Sequence, residues 1–322
     1  MGRYIARRAL WAVFVLFVMT TITFVIYFVM PPNTSVYEQF THGAETQRAS
    51  ELTKSVLGLD QPIYVQYGLF MRHLFLGDQY GWPGMWMSFQ TRSALKPIIA
   101  SRAIVTFQLA VGAAFVWLLI GIPLGILSAL RPRSKTDRFT MGFALIATSM
   151  PVFFLGMMVL YIFWFKLGLI PGAGYVSLGD GFGPWLSHMI VPWIVLALLF
   201  AAYYARMTRA SMMETLGEDF VQTARGKGLS ERRVIVRHAF RAAMLPLVTM
   251  FGMDLGTLFG GAVITETVFN LPGLGSYAVE SVKHADLYAL LDVTVVVALA
   301  ITVMNLVVDI AYAWLDPRIR YT

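Results

Sequence analysis

The chain has 322 residues, of which 57% are hydrophobic and 13% charged. A soluble domain carries roughly a quarter charged residues, so this composition excludes a water-covered fold of that size and makes lipid the solvent. There is no cysteine, which rules out disulfides, thiolate metal sites and cysteine nucleophiles, and a formal net charge of +7 admits nucleic acid or anionic lipid as partners until the charges are placed.

Taken in chain order, six stretches approach or exceed the roughly 20 apolar residues that a bilayer crossing needs. They cover residues 9–30, 101–130, 139–170, 185–205, 242–265 and 287–315. The first follows a basic start at Arg3, Arg7 and Arg8, as a signal peptide would. It is too long for a signal core, and no small-x-small cleavage site follows, so it reads as a retained transmembrane helix. The second, third and sixth exceed a single crossing and are expected to tilt or extend into water. The expected fold is all-α and polytopic, with six transmembrane helices. Its parts are a tail and first helix (1–30), an extracytoplasmic segment (31–100), a five-helix core (101–315) and a cytoplasmic tail (316–322).

Basic residues near the helix ends orient these spans. With both termini in the cytoplasm, most of the 25 basic residues fall inside, including Arg131, Arg133, Lys135 and Arg138, and Arg206 through Arg241. Topology thus accounts for the positive charge, and no nucleic-acid surface is needed. Outside, the spacing Gln66, Phe70, His73 and Leu74 predicts an amphipathic helix lying at the membrane surface. Residues 171–184 are rich in glycine and read as a turn or cap. Residues 266–286 contain the break Asn270–Gly275 and then a short helix, which is tolerable only within protein or a water-filled cavity.

The longest inside connection is 206–241. Its middle reads Asp219, Phe220, Val221, Gln222, Thr223, Ala224, Arg225, Gly226, Lys227, Gly228, Leu229 and Ser230. Acidic residues at the front and basic ones at the back suit a helix dipole. Gly228 fits a left-handed stop, and Ser230 is placed to cap the next helix before Glu231. So short a helix is marginal alone. It is stabilised either by seating Phe220, Val221 and Ala224 in a groove of another protein, or by resting as an amphipathic loop helix on the membrane.

This stretch resembles the cytoplasmic coupling loop of ABC importer permeases, whose general form is Glu-Ala-Ala, three residues, Gly, nine residues, Ile-x-Leu-Pro. Gln222-Thr223-Ala224 stands for the first triplet, Gly228 for the glycine, and His238–Arg241 for the last four positions. The departures follow the dipeptide and oligopeptide branch. Thr223–Arg233, Arg237-His238-Ala239 and Leu245-Pro246 are similar to its first permease. So are Gly58–Pro62, Gln66-Tyr67, Gly77-Asp78, Ile120–Gly125, Gly260-Gly261, Glu266–Phe269, Pro272–Gly275 and Leu315–Tyr321, in family order along nearly the whole chain.

The resemblance implies the type I importer permease fold and a subunit without chemistry of its own. Residues Asp219–Ser230 would form a coupling helix docked in a cleft on one of two cytoplasmic ATPase subunits. A second homologous permease would complete the pore, and an extracytoplasmic binding protein would deliver substrate. The chain lacks a Gly-x-x-x-x-Gly-Lys-Ser/Thr phosphate loop, so ATP and Mg²⁺ belong to the partners.

Within the fifth span, Asp254 is costly in lipid, by about 2.5–3.5 kcal/mol on insertion scales. It reads either as lining the translocation path, where it would attract a peptide amine, or as a bond to the second permease. Gly252, Gly256 and Gly260 share one face and are assigned to the partner-permease interface. Asn305 and Asp309, four residues apart on the sixth span, are assigned to an interhelical bond. His188 and His238 are too isolated to ligate a metal, and no nucleophile, base and oxyanion site gather into a catalytic set. The functional expectation is peptide import by alternating access. Oligosaccharide or nickel-complex import, an ion-coupled secondary transporter and an intramembrane enzyme are the alternatives.

Overall fold

Long apolar runs become long helices here, and close approach between them is set by small residues. The computed structural model describes residues 2–26, 61–77, 81–85, 87–88, 91, 93–284 and 286–315. Its helices are α1 (Gly2–Phe24), α2 (Ile63–Leu76), α3 (Leu95–Leu130), α4 (Lys135–Ser149), α5 (Val152–Lys166), α6 (Phe182–Leu216) and α7 (Asp219–Gly226). They continue as α8 (residues 231–261, with a π-helical stretch at Val234–Ala239), α9 (Val263–Val268), α10 (Leu274–Lys283) and α11 (Leu287–Leu315).

Among the described residues, five helices (α1, α3, α6, α8 and α11) are each long and apolar enough to cross a bilayer. The expected third span is different. It is the pair α4 and α5, bent by 100° at Met150-Pro151. Proline disfavours helical geometry in the preceding residue, and Met150 is extended (φ −95°, ψ 126°). The pair makes a sixth span only as a broken one. The 206–241 connection is also more helical than expected. α6 runs eleven residues past Ala205 to Leu216, and α8 already begins at residue 231, so only short turns flank α7.

α3 and α6 form the centre. A Cβ on Gly121 would stand 2.8 Å from the Ala201 carbonyl, and one on Gly125 would stand 2.6 Å from that of Ala205, so only glycine permits this approach. This gives a physical reason for the glycines of the 120–125 stretch. Trp117 fills the middle, fully buried, with its ring 4.7 Å from Phe200 and 6.0 Å from Phe251. The 171–184 segment caps this pair. Tyr175 Oη and Trp185 Nε1 both donate to Gln108 Oε1 at 3.1 Å.

The helix expected at the membrane surface exists as α2, but it is docked on protein. Its Phe70 is 3% exposed and stacks 5.5 Å from Phe24 of α1, while Tyr67 Oη shares a 2.7 Å hydrogen bond with Thr21. The same cluster takes in Leu95, Leu274, Tyr288 and Leu291. Protein side chains therefore cover Phe70 and partly cover Tyr67, Met71 and Leu74, while Tyr64, Phe75 and Leu76 stay exposed.

Candidate functional site

α7 is a short helix between two tight turns. Thr223 Oγ1 donates to the Asp219 carbonyl at 2.8 Å, and Gly228 ends the motif at φ +77°, a left-handed value that suits glycine. Glu218 and Ser230 occupy the starts of α7 and α8 without side-chain capping bonds. Glu231 instead accepts from Arg225 Nη2 at 2.7 Å, which ties the two helices across the turn.

One expectation about α7 is corrected. Val221 and Ala224 do not face outward to another protein. They are buried against Ala129 of α3, Met212 of α6, and Val234, Ala239 and Ala243 of α8, with Leu229 packed alongside. The outward face is Asp219, Phe220, Gln222, Thr223, Gly226 and Lys227, among which Phe220 is a 46% exposed aromatic. Helical spacing alone groups Phe220, Val221 and Ala224. Their division between inside and outside depends on where α6 and α8 lie.

At the same end of the bundle, sequence reading missed a buried charge. Asp137, at the start of α4, accepts from Arg209 Nε at 2.6 Å and Nη2 at 3.0 Å. It also accepts from Ser128 Oγ at 2.5 Å and from the Arg133 N–H at 2.8 Å. Arg133 holds φ +63° to present that N–H. Breaking a buried ion pair typically costs about 3–5 kcal/mol; here the figure is discounted because a quarter of the Arg209 side chain is exposed. An acid four residues after a basic turn, with a distant arginine on an apolar helix, was the available signal.

The opposite end holds a second buried carboxylate, Glu266 of α9, fully buried. Thr106 Oγ1 donates to it at 2.7 Å and the Ser276 N–H at 2.8 Å, while Leu274 N–H donates to the same Thr106 hydroxyl. A side chain on Gly273 would collide with this carboxylate. The 272–275 turn and the glutamate thus form one device, pinning α10 to α3. Burial pushes the Glu266 carboxyl above its ordinary value. Asp286 is separate: it accepts from Ser88 Oγ at 2.5 Å and caps α11 through the Ala289 N–H.

Asp254 of α8 accepts from Tyr204 Oη of α6 at 2.9 Å. That hydrogen bond lies within this chain. Gly256 is likewise buried against this chain's own α11, where a Cβ would stand 3.3 Å from Asn305 Oδ1. Gly252 is buried on the same helix. Gly260 and Asp309 lie in α8 and α11, and their side-chain surroundings fall outside the described residues. Among the described residues, no three His, Asp or Glu side chains gather as metal ligands.

The geometry is that of a helical bundle with a surface helix at one end and a pinned break at the other, and comparison with known proteins accounts for it. Residues 121–321 match the family model "Binding-protein-dependent transport system inner membrane component", and residues 1–110 match its N-terminal companion. The dipeptide transport system permease protein DppB of Alkalihalophilus pseudofirmus is 35% identical, covering 99% of both chains. The glutathione transport system permease protein GsiC of Escherichia coli K12 is 36% identical over the full length of both. Two inward-facing structures of the MetNI methionine ABC transporter share the fold, with TM-scores of 0.54 and 0.56 at 16% and 17% identity. Each covers 69% of this chain and 98% of the other. The chain belongs to the binding-protein-dependent transport system inner membrane component family and is a type I permease subunit of an ABC importer.

Proposed function

We propose that this permease imports short peptides, received from a substrate-binding protein at the α9–α10 end and released at the α7 end. The dipeptide and glutathione permeases that it resembles along their whole length support this substrate class. α7 is the docking helix for cytoplasmic ATPase subunits, two per complex, which bind ATP and Mg²⁺. A second homologous permease completes the pore, and both termini of this chain face the cytoplasm, in keeping with the basic residues around α7.

The observation that carries the reading is the outward face of α7. The inner residues Val221 and Ala224 anchor the helix on three others, while Phe220 stays exposed on a polar, rigidly held surface. A buried aromatic anchor surrounded by polar groups is the usual form of a protein-binding hot spot. The test is uptake by the purified complex in proteoliposomes. Dipeptide or glutathione accumulation is expected only with ATP inside the ATPase-bearing compartment. Uptake driven by an ion gradient without ATP would overturn the reading, and ATP-dependent uptake confined to sugars or nickel complexes would overturn the substrate class.

A further inference from the structure

The bent pair α4–α5 is fastened to the bundle in an unusual way. Large apolar residues of α4 face outward, with Phe139, Leu145 and Ile146 all more than 60% exposed. Its inward groups are small or polar: Asp137, Thr140 and Ala144. At the α7 end, the Asp137 carboxylate joins α4 to α3 through Ser128, to the turn through Arg133, and to α6 through Arg209. At its other end, the pair meets the α9 break. A Cβ on Gly156 of α5 would stand 3.0 Å from Val268 and 3.3 Å from Phe269.

α7 rests on Met212, only three residues beyond Arg209 on α6, and on Ala129, next to Ser128 on α3. Force applied to α7 therefore enters both helices that Asp137 clamps, besides α8. α3 and α6 approach so closely at Gly121 and Gly125 that their backbones lie locked side by side. α4 packs on the bundle through its small buried residues Thr140 and Ala144 and adds the carboxylate's bonds to Arg209.

We infer that Asp137, with Arg209, is a positioning pair that carries movement of α7 into the α4–α5 arm and so to the break at α9. The inference rests on α7 being the docking helix. It assigns no contact with substrate or nucleotide to either residue. A bidentate arginine suits this task, since its two parallel bonds hold direction as well as distance.

The test uses the complete transporter in proteoliposomes and reads substrate taken up per ATP hydrolysed. This ratio is insensitive to the amount of folded complex, which a merely structural loss would lower. Asp137→Asn is expected to lower it about tenfold, a coupling loss within the usual range. Arg209→Lys, which keeps the charge and loses the fork, is expected to fall between this and wild type. Because the chain has no cysteine, spin labels at Phe139→Cys on α4 and Met213→Cys on α6 report the clamp directly. Their separation is expected to stay single and constant between nucleotide states in the parent, and to spread when Asp137→Asn is added.

An unchanged uptake-to-ATP ratio in both variants overturns the inference, as does an unchanged label separation. If Asp137→Asn does not assemble, Arg209→Lys decides by the same ratio. A parallel Phe220→Asp variant separates the two claims. Full coupling in that variant removes the docking reading itself, whereas loss there with normal coupling in the Asp137 and Arg209 variants removes only the clamp.

Discussion

The two ends of this bundle each bury a carboxylate, and they compensate it differently. At the α7 end, Asp137 is met by an arginine fork, a hydroxyl and a backbone N–H. At the α9 end, Glu266 is met by a hydroxyl and a backbone N–H, while nearby Arg102 bonds to Glu280 at 3.2 Å. An ion pair of fixed direction resists displacement. A carboxylate held by neutral donors can take up a proton at less cost, and its grip depends on pH. The first end thus holds its carboxylate by charge and direction, the second by neutral donors alone.

The largest effect should come from charging the back of α7. Ala224→Glu places an unpaired charge against Ala129 and Met212, and it is expected to abolish uptake and lower the melting temperature of the complex. Phe220→Asp is expected to stop uptake while leaving the melting temperature of the isolated permease unchanged, because Phe220 projects outward. If both variants melt alike, the division of α7 into an anchored face and a docking face is wrong.

The next effect belongs to the other end. Glu266→Gln replaces one acceptor by an amide N–H that faces donors, at a cost of about 1–3 kcal/mol. Glu266 lies beyond the crossing part of α8, and burial raises its carboxyl above the ordinary glutamate value. Such a group binds its proton more tightly when folded. Its stabilisation is therefore complete below the ordinary value and is lost as pH rises through the raised one. The complex is expected to melt lower once the pH has passed the raised value than it does below the ordinary one. Glu266→Gln should flatten that difference, and an equal slope in both proteins would place the pH dependence elsewhere.

The smallest effect is expected midway between the ends. Asp254→Asn keeps an acceptor for Tyr204, so it is expected not to lower the melting temperature. Uptake rate and selectivity should stay as in the parent. A loss confined to peptides with a free amine would return Asp254 to the translocation path.

Much of this was legible along the chain. Apolar run length located the spans, and Gly228 was recognisable as a helix stop because few other residues adopt φ +77°. Motif order from residue 58 to 321 pointed to the family. The missed features involve residues far apart in sequence. Asp137 and Arg209 are separated by 72 positions, and Thr106 and Glu266 by 160. Nothing local marks which residues pair, since each alone reads as a boundary charge or hydroxyl. Val221 and Ala224 looked available for the same reason, because the helices that bury them come from three other segments.

The prolines show where the division lies. Pro123, Pro151, Pro192 and Pro246 all sit within long apolar runs, and composition treats them alike. Pro123, Pro192 and Pro246 remain inside continuous helices, whereas Met150-Pro151 turns the chain by 100°. By itself the sequence determined that these segments are apolar, helical and long, because lipid admits little else without backbone partners. The tertiary structure decided which proline bends its helix, which face of α7 is free and which buried charges meet. Those outcomes depend on what the neighbouring helices supply, and the neighbours are brought close only by folding.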